Sequence, residues 1–147
     1  MNVTITENPA LNDIEVQVAC PRIDERVQRI AASLGDIDRT LAGMRDGSLY
    51  RVPPKDVLYV ETVDGATFLY TADAVFETPL RLFEVEDRLA GTEFVRASRQ
   101  MLVNFDRVRC IRPAPGARLR LSLDNGEEAI VSRQYAPAIK RKLGLRP

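Results

Sequence analysis

Phe94-Val95-Arg96-Ala97-Ser98-Arg99-Gln100-Met101-Leu102-Val103-Asn104 is the stretch on which the fold turns. Phe94–Arg96 and Met101–Val103 read as two short strands, with a tight, polar turn between them. Arg96 and Arg99 stand three residues apart and bracket the small pair Ala97-Ser98 at the strand-to-turn junction. A narrow neck flanked by two long cationic forks can lie close to a sugar-phosphate backbone. Asn104 closes the stretch, and in Asn104-Phe105-Asp106 its side chain suits turn-making through bonds to the backbone better than contact with a ligand.

Outward from this stretch the same texture continues. Upstream, Val57-Leu58-Tyr59-Val60 and Phe68-Leu69-Tyr70 flank Asp64-Gly65, a strong hairpin signal. A helix is expected from Thr78 as N-cap and Pro79 in its first position to Gly91 past its end, burying Leu82, Val85 and Leu89. Downstream, Val108–Ile111 reads as a strand, and Arg118–Leu123 and Ala129–Val131 form a hairpin about Asp124-Asn125-Gly126. There Leu119, Leu121 and Leu123 share the inner face. Arg118 and Arg120 take the outer one, where a lone arginine is usually only a solvated side chain. A last short helix carries Tyr135, Ile139 and Leu143 and starts near 134–136, since Pro137 is tolerated only in its first turn.

Residues 1–48 read as a small β-α-β extension. Ile14, Val16 and Val18 alternate with polar or small neighbours, a helix follows Asp24 and stops at Gly35, and Thr40–Met44 returns as a strand. Asp46-Gly47-Ser48 and Pro53-Pro54 mark the expected joint with residues 49–147. A piece this short must dock elsewhere to bury its apolar face, which makes dimerisation or regulation its expected role.

Composition narrows the chemistry. The 147 residues contain no histidine, which removes Ser-His-Asp and Cys-His nucleophiles, HExxH metal sites and an imidazole base; neither enzyme nor bound cofactor or metal is expected. Cys20 and Cys110 lie in strand-like patterns with no CxxC and read as small buried hydrophobes of a reduced, cytoplasmic protein. No apolar run is long enough for a membrane span, and the first residues lack the basic start and apolar core of a signal peptide. The formal net charge is zero, but it is split. Residues 1–93 carry 9 basic and 17 acidic side chains, whereas residues 94–147 carry 12 basic and 4 acidic. That asymmetry points to an anionic partner for the C-terminal third. Tyr59, Phe68, Phe83, Phe94 and Tyr135 fall on apolar stripes, which assigns them to the core and argues against a stacking platform for single strands.

Phe94–Asn104, taken with Ile130-Val131-Ser132-Arg133-Gln134-Tyr135 and the upstream Asp56-Val57-Leu58-Tyr59-Val60-Glu61, resembles the LytTR family of DNA-binding domains over residues 49–143. The resemblance implies a mainly β fold of elongated, stacked antiparallel sheets with short helices, whose loops enter successive major grooves. It implies a bacterial transcriptional regulator of the response-regulator kind that binds duplex DNA sequence-specifically. Many relatives carry an N-terminal phospho-receiver, for which 48 residues are too few. By resemblance Arg99 and Arg133 reach base edges, where an arginine fork matches guanine O6 and N7. Arg96, Ser98, Gln100, Ser132, Lys140 and Lys142 would position the phosphates, and the loop Val63-Asp64-Gly65 would be a third groove-facing element. Ala97-Ser98 departs from the family, which often has a histidine there. A homodimer is expected, because paired half-sites give a loop reader more specificity; a membrane-bound regulatory partner enters by family resemblance alone. The competing reading is an interaction module whose basic face docks on an acidic or membrane-associated protein.

Overall fold

The structure, a computed structural model, describes residues 1–37 and 39–145; Arg146, one of the twelve C-terminal basic residues, lies outside them. The chain divides into two compact units, Met1–Gly35 and Asp36–Pro147. In the first, Asp24 caps helix α1 (Glu25–Ile37) by accepting from the Val27 amide at 3.0 Å. The helix runs through Gly35 rather than stopping there. Among the described residues the expected β-α-β arrangement does not form. Residues 14–18 form no ladder with any described residue, and Ile14, Val16 and Val18 are exposed. Alternation makes a strand only where a neighbour supplies the other half of the hydrogen bonds.

In the second unit, β1 (Leu41–Arg45) and β2 (Ser48–Val52) form an antiparallel hairpin about Asp46-Gly47, both with positive φ. The expected joint near residue 48 is therefore a turn of the type that Asp-Gly favours. The strand foreseen at Thr40–Met44 belongs to the larger sheet. The remaining elements are β3 (Val57–Val63), β4 (Ala66–Thr71), β5 (Val75–Thr78), α2 (Leu82–Arg88), β6 (Phe94–Ser98), β7 (Met101–Asn104), β8 (Val108–Ala114), β9 (Arg118–Leu123), β10 (Glu128–Val131) and α3 (Ala136–Lys142). They build a seven-stranded sheet in the order β2-β1-β5-β4-β3-β7-β6 and a three-stranded sheet in the order β10-β9-β8. Every described pairing is antiparallel.

Alternation along the central strands, shifted by irregularities at Val57/Tyr59 on β3 and Arg96/Ser98 on β6, divides the core in two. Val60, Leu69 and Leu102 face α2, whose Leu82 and Val85, with Leu89 just past its end, are buried against them as the periodicity predicts. Leu58, Val103 and Ala97 face the three-stranded sheet and α3, packing with Leu119, Leu121, Leu123, Val131 and Ile139. Fully burying such side chains stabilises by roughly 1.5–3 kcal/mol each. The middle of the large sheet is thus covered on both sides.

Three local expectations change. Thr78 ends β5, opposite Thr67, so it is not a helix cap; α2 begins four residues later, with the Arg81 amide donating to Glu84 Oε1 at 3.1 Å. Cys20 and Cys110 are exposed, the latter on β8 at the margin of its sheet, where one face has no cover. Phe83 is 53 % exposed because it points away from the stripe that α2 buries, and the other four aromatics are half-buried.

Candidate nucleic-acid interface

The turn at Arg99-Gln100 is built by its neighbours. Ser98 pairs with Met101 across β6 and β7, and Ser98 Oγ accepts from the Gln100 amide at 3.2 Å. Arg96 lies beneath the turn. Its Nη1 donates to the carbonyls of Ser98 at 3.2 Å and Arg99 at 2.7 Å, and its Nε meets Glu86 at 3.1 Å. The Arg96 side chain is only 20 % exposed, and these bonds tie its guanidinium to the loop and to α2. Arg99 is exposed and makes no side-chain bond to any described residue.

Two further loops come to the same end of the unit. β3 runs beside β7, and the Thr62 amide donates to the Gln100 carbonyl at 2.8 Å, which sets the Val63-Asp64-Gly65 hairpin next to the Arg99 turn. Asp64 and Gly65 both have positive φ, so the hairpin is tight, and it presents an acid but no donor side chain. On the other side, the Ser132 amide donates to the Ala97 carbonyl at 2.8 Å. That bond joins the end of β10 to β6 and brings Arg133 beside the loop that holds Arg99, although 34 positions separate them in sequence. Arg133 is exposed, with no side-chain bond among the described residues. Ser132 anchors the following turn, its carbonyl accepting from the amides of Tyr135 and Ala136.

The lysines of the last helix are placed differently. α3 starts at the Ser132 junction and runs the other way, so that Lys142 Nζ pairs with Glu93 at 3.2 Å and sits over the Phe105 ring. Glu93 precedes β6, about 16 Å along the strand from Ser98 at ~3.3 Å per residue. Lys142 is therefore not part of the arginine-bearing end, and Lys140 lies half-buried midway along α3. Asn104 is buried at the far end of β7, where Nδ2 donates to the Val57 carbonyl and Oδ1 accepts from the Asp106 amide. It organises its turn as its position predicts.

One contributor escaped sequence reasoning. The β8–β9 turn, Pro115-Gly116-Ala117, falls at the Arg133 end because Val131 pairs with Leu119 and Ala114 with Arg118. Arg118 Nε donates to the Pro115 carbonyl at 2.8 Å within it. The signal that would have found it is the strand register, which alternation alone does not supply.

Two phenols in the second unit have perturbed acidity. Tyr59 stacks on Tyr70 with ring centres 4.4 Å apart, and its hydroxyl donates to Glu127 at 2.8 Å. Burial, then the Glu127 bond and charge, hold the Tyr59 phenol well above its ordinary value of 10.0. Burial, then Glu61 and Glu127, raise Tyr70. Among the described residues no group of acidic or cysteine side chains is placed to hold a metal, and no helix is long and apolar enough to cross a membrane.

A mainly β domain with two exposed arginines, Arg99 and Arg133, on neighbouring loops defines a class of loop-presenting proteins. The chain belongs to the LytTr DNA-binding domain family, whose model matches residues 47–144. A solved LytTr DNA-binding domain from Bacillus cereus superposes with a TM-score of 0.69 at 28% identity, over 72% of this chain and 97% of that one. An uncharacterised HTH-type transcriptional regulator of Staphylococcus aureus (strain NCTC 8325 / PS 47) is 26% identical over 99% of this chain and 98% of its own length. Its counterpart in strain MRSA252 is 25% identical with the same coverage. Among the described residues of the present chain no two helices are consecutive, so no helix-turn-helix is formed.

Proposed function

We propose that this protein is a transcriptional regulator that binds duplex DNA sequence-specifically, reading bases in the major groove with Arg99 and Arg133. The observation that carries this is the backbone bond from Ser132 to Ala97, which brings two otherwise uncommitted arginines to one end of a domain whose family binds DNA. Ser98, Gln100 and Ser132 set the loops that hold them, and the tight 63–65 hairpin fills the adjoining groove position. Arg96 acts on the turn rather than on phosphate. Selection of bound duplexes from a random pool supplies the site. Arg99→Ala and Arg133→Ala should then each cost about 1–3 kcal/mol on it and relax preference at separate positions, while random DNA loses much less. Replacement by lysine restores affinity for random DNA without discrimination, because the point charge lacks the bidentate fork. Unchanged discrimination in folded Arg133→Ala overturns the reading.

The protein binds its site as a homodimer, with residues 1–35 supplying the contact. The support is their exposed apolar residues and the amphipathic α1 in a unit too small for its own core. Sedimentation showing only monomer, alone and on DNA, refutes this.

A further inference from the structure

The outward face of the three-stranded sheet carries a charge arrangement that the fold does not explain. Arg112 on β8 stands directly opposite Arg120 on β9, and Arg118 follows one row nearer the Arg133 end. Like charges directly opposite one another destabilise a sheet. Here they are tolerated because Glu128 on β10 bridges both, at 3.1 Å to Arg112 and 3.5 Å to Arg120. All three side chains are 44–58 % exposed, so the cluster is open to a ligand. The face is continuous with the candidate interface, since Leu119 pairs with Val131 immediately before the Ser132–Arg133 junction. Three arginines and one carboxylate leave a net positive strip leading away from the base-reading end.

We infer that this strip is a second duplex-contacting surface: Arg112, Arg118 and Arg120 follow the phosphates flanking the bases read at Arg133, and Glu128 holds Arg112 and Arg120 until phosphate replaces it. The inference rests on the proposed base reading for its orientation. An acidic protein surface is the competing occupant. Phosphate is favoured because the strip adjoins the loops of a DNA-binding domain and because all three cations are arginines, whose planar fork takes a phosphate bidentately.

The test uses the full chain and two duplexes. One has a full turn of flank on the side where Arg133→Ala relaxes preference, and the other is trimmed there. The double variant Arg112→Gln, Arg120→Gln should lower the salt slope of binding on the long duplex by about 1.8, from ~0.9 per phosphate, an effect of about twelvefold between 50 and 200 mM salt. Its ratio of specific to scrambled binding should not change. On the trimmed duplex, wild type and double variant should have equal slopes. Glu128→Gln should tighten binding to the long duplex severalfold. An unchanged slope on the long duplex, with an unchanged melting temperature proving the fold, overturns the inference and assigns the strip to an acidic protein. An equal drop on both duplexes overturns the placement in the flank. Failure of the wild type to discriminate sequences overturns the base reading instead, and the slope comparison on scrambled DNA still decides whether the strip meets phosphate.

Discussion

Replacing Arg96 by alanine separates two roles that the sequence alone leaves superposed. If the guanidinium shapes the loop, the variant loses two charge-assisted bonds to turn carbonyls, at 3.2 and 2.7 Å, and an ion pair with Glu86. Bonds to a charged group contribute about 1.5–3 kcal/mol when the partner is left dry, but these carbonyls lie near the surface and water partly replaces the donor. The ion pair adds less than about 1 kcal/mol, since Glu86 is 42 % exposed and screened. A total of about 2–3 kcal/mol follows, which for a unit of this size lowers the melting temperature by roughly 6–15 °C. Under the proposed base reading, discrimination should be lost chiefly at the position assigned to Arg99, because its loop is no longer held, and less at that assigned to Arg133. Arg96→Lys should recover little, as a single ammonium cannot span both carbonyls and Glu86. Thermal melting and a two-sequence binding assay on the same samples check this. A melting temperature within a degree of wild type, with affinity reduced equally on all duplexes, would refute the reasoning and return Arg96 to phosphate.

Gly43→Ala should destabilise by about 1–3 kcal/mol in urea unfolding, because its Cβ would come within 2.7 Å of Phe76 Cβ and 3.0 Å of Val52 Cγ2. Asn104→Ala should cost about 2–3 kcal/mol by orphaning the Val57 carbonyl and the Asp106 amide. Asn104→Asp should be no better, since a carboxylate cannot donate to that carbonyl, and the folded fraction of either variant should keep its sequence preference. The raised Tyr59 phenol makes stability pH-dependent. Its contribution is complete below the unfolded value near 10.0 and is lost as pH rises through the higher folded value. Urea midpoints should therefore fall more steeply above pH 10 in wild type than in Tyr59→Phe; parallel curves would refute it.

The hairpins about Asp64-Gly65 and Asp124-Asn125-Gly126 were legible because turn residues sit between segments whose apolar positions alternate. β2 was not, since four of its five residues are exposed and only Val52 is buried, so nothing in Ser48–Val52 marks an inner face. The same Asp-Gly signal at 46–47 therefore read as a joint. Thr78-Pro79 has the chemistry of a helix start, but ladder pairing with Thr67 claims Thr78 first, which is a tertiary preference invisible to a local pattern. At the candidate site, Arg99 and Arg133 were readable as types in a motif. The commitment of Arg96 was not, because it depends on Glu86 ten residues upstream and on carbonyls whose direction only the folded turn defines. Lys142 likewise was expected beside the phosphates as a basic residue of the last helix, whereas the direction of α3 takes it to Glu93.

The bond from the Ser132 amide to the Ala97 carbonyl is made by main-chain atoms alone. Any non-proline residue at 132 and any residue at 97 small enough for its buried position can make it, so the offset between loops 98–100 and 132–134 is independent of what those loops display. Under the proposed base reading, new specificities arise by exchanging side chains at 99 and 133 while the gauge between them stays constant. The same independence bounds retargeting: substitution can change which bases are preferred at two fixed places along a duplex, but the distance between those places changes only if the strands themselves slip.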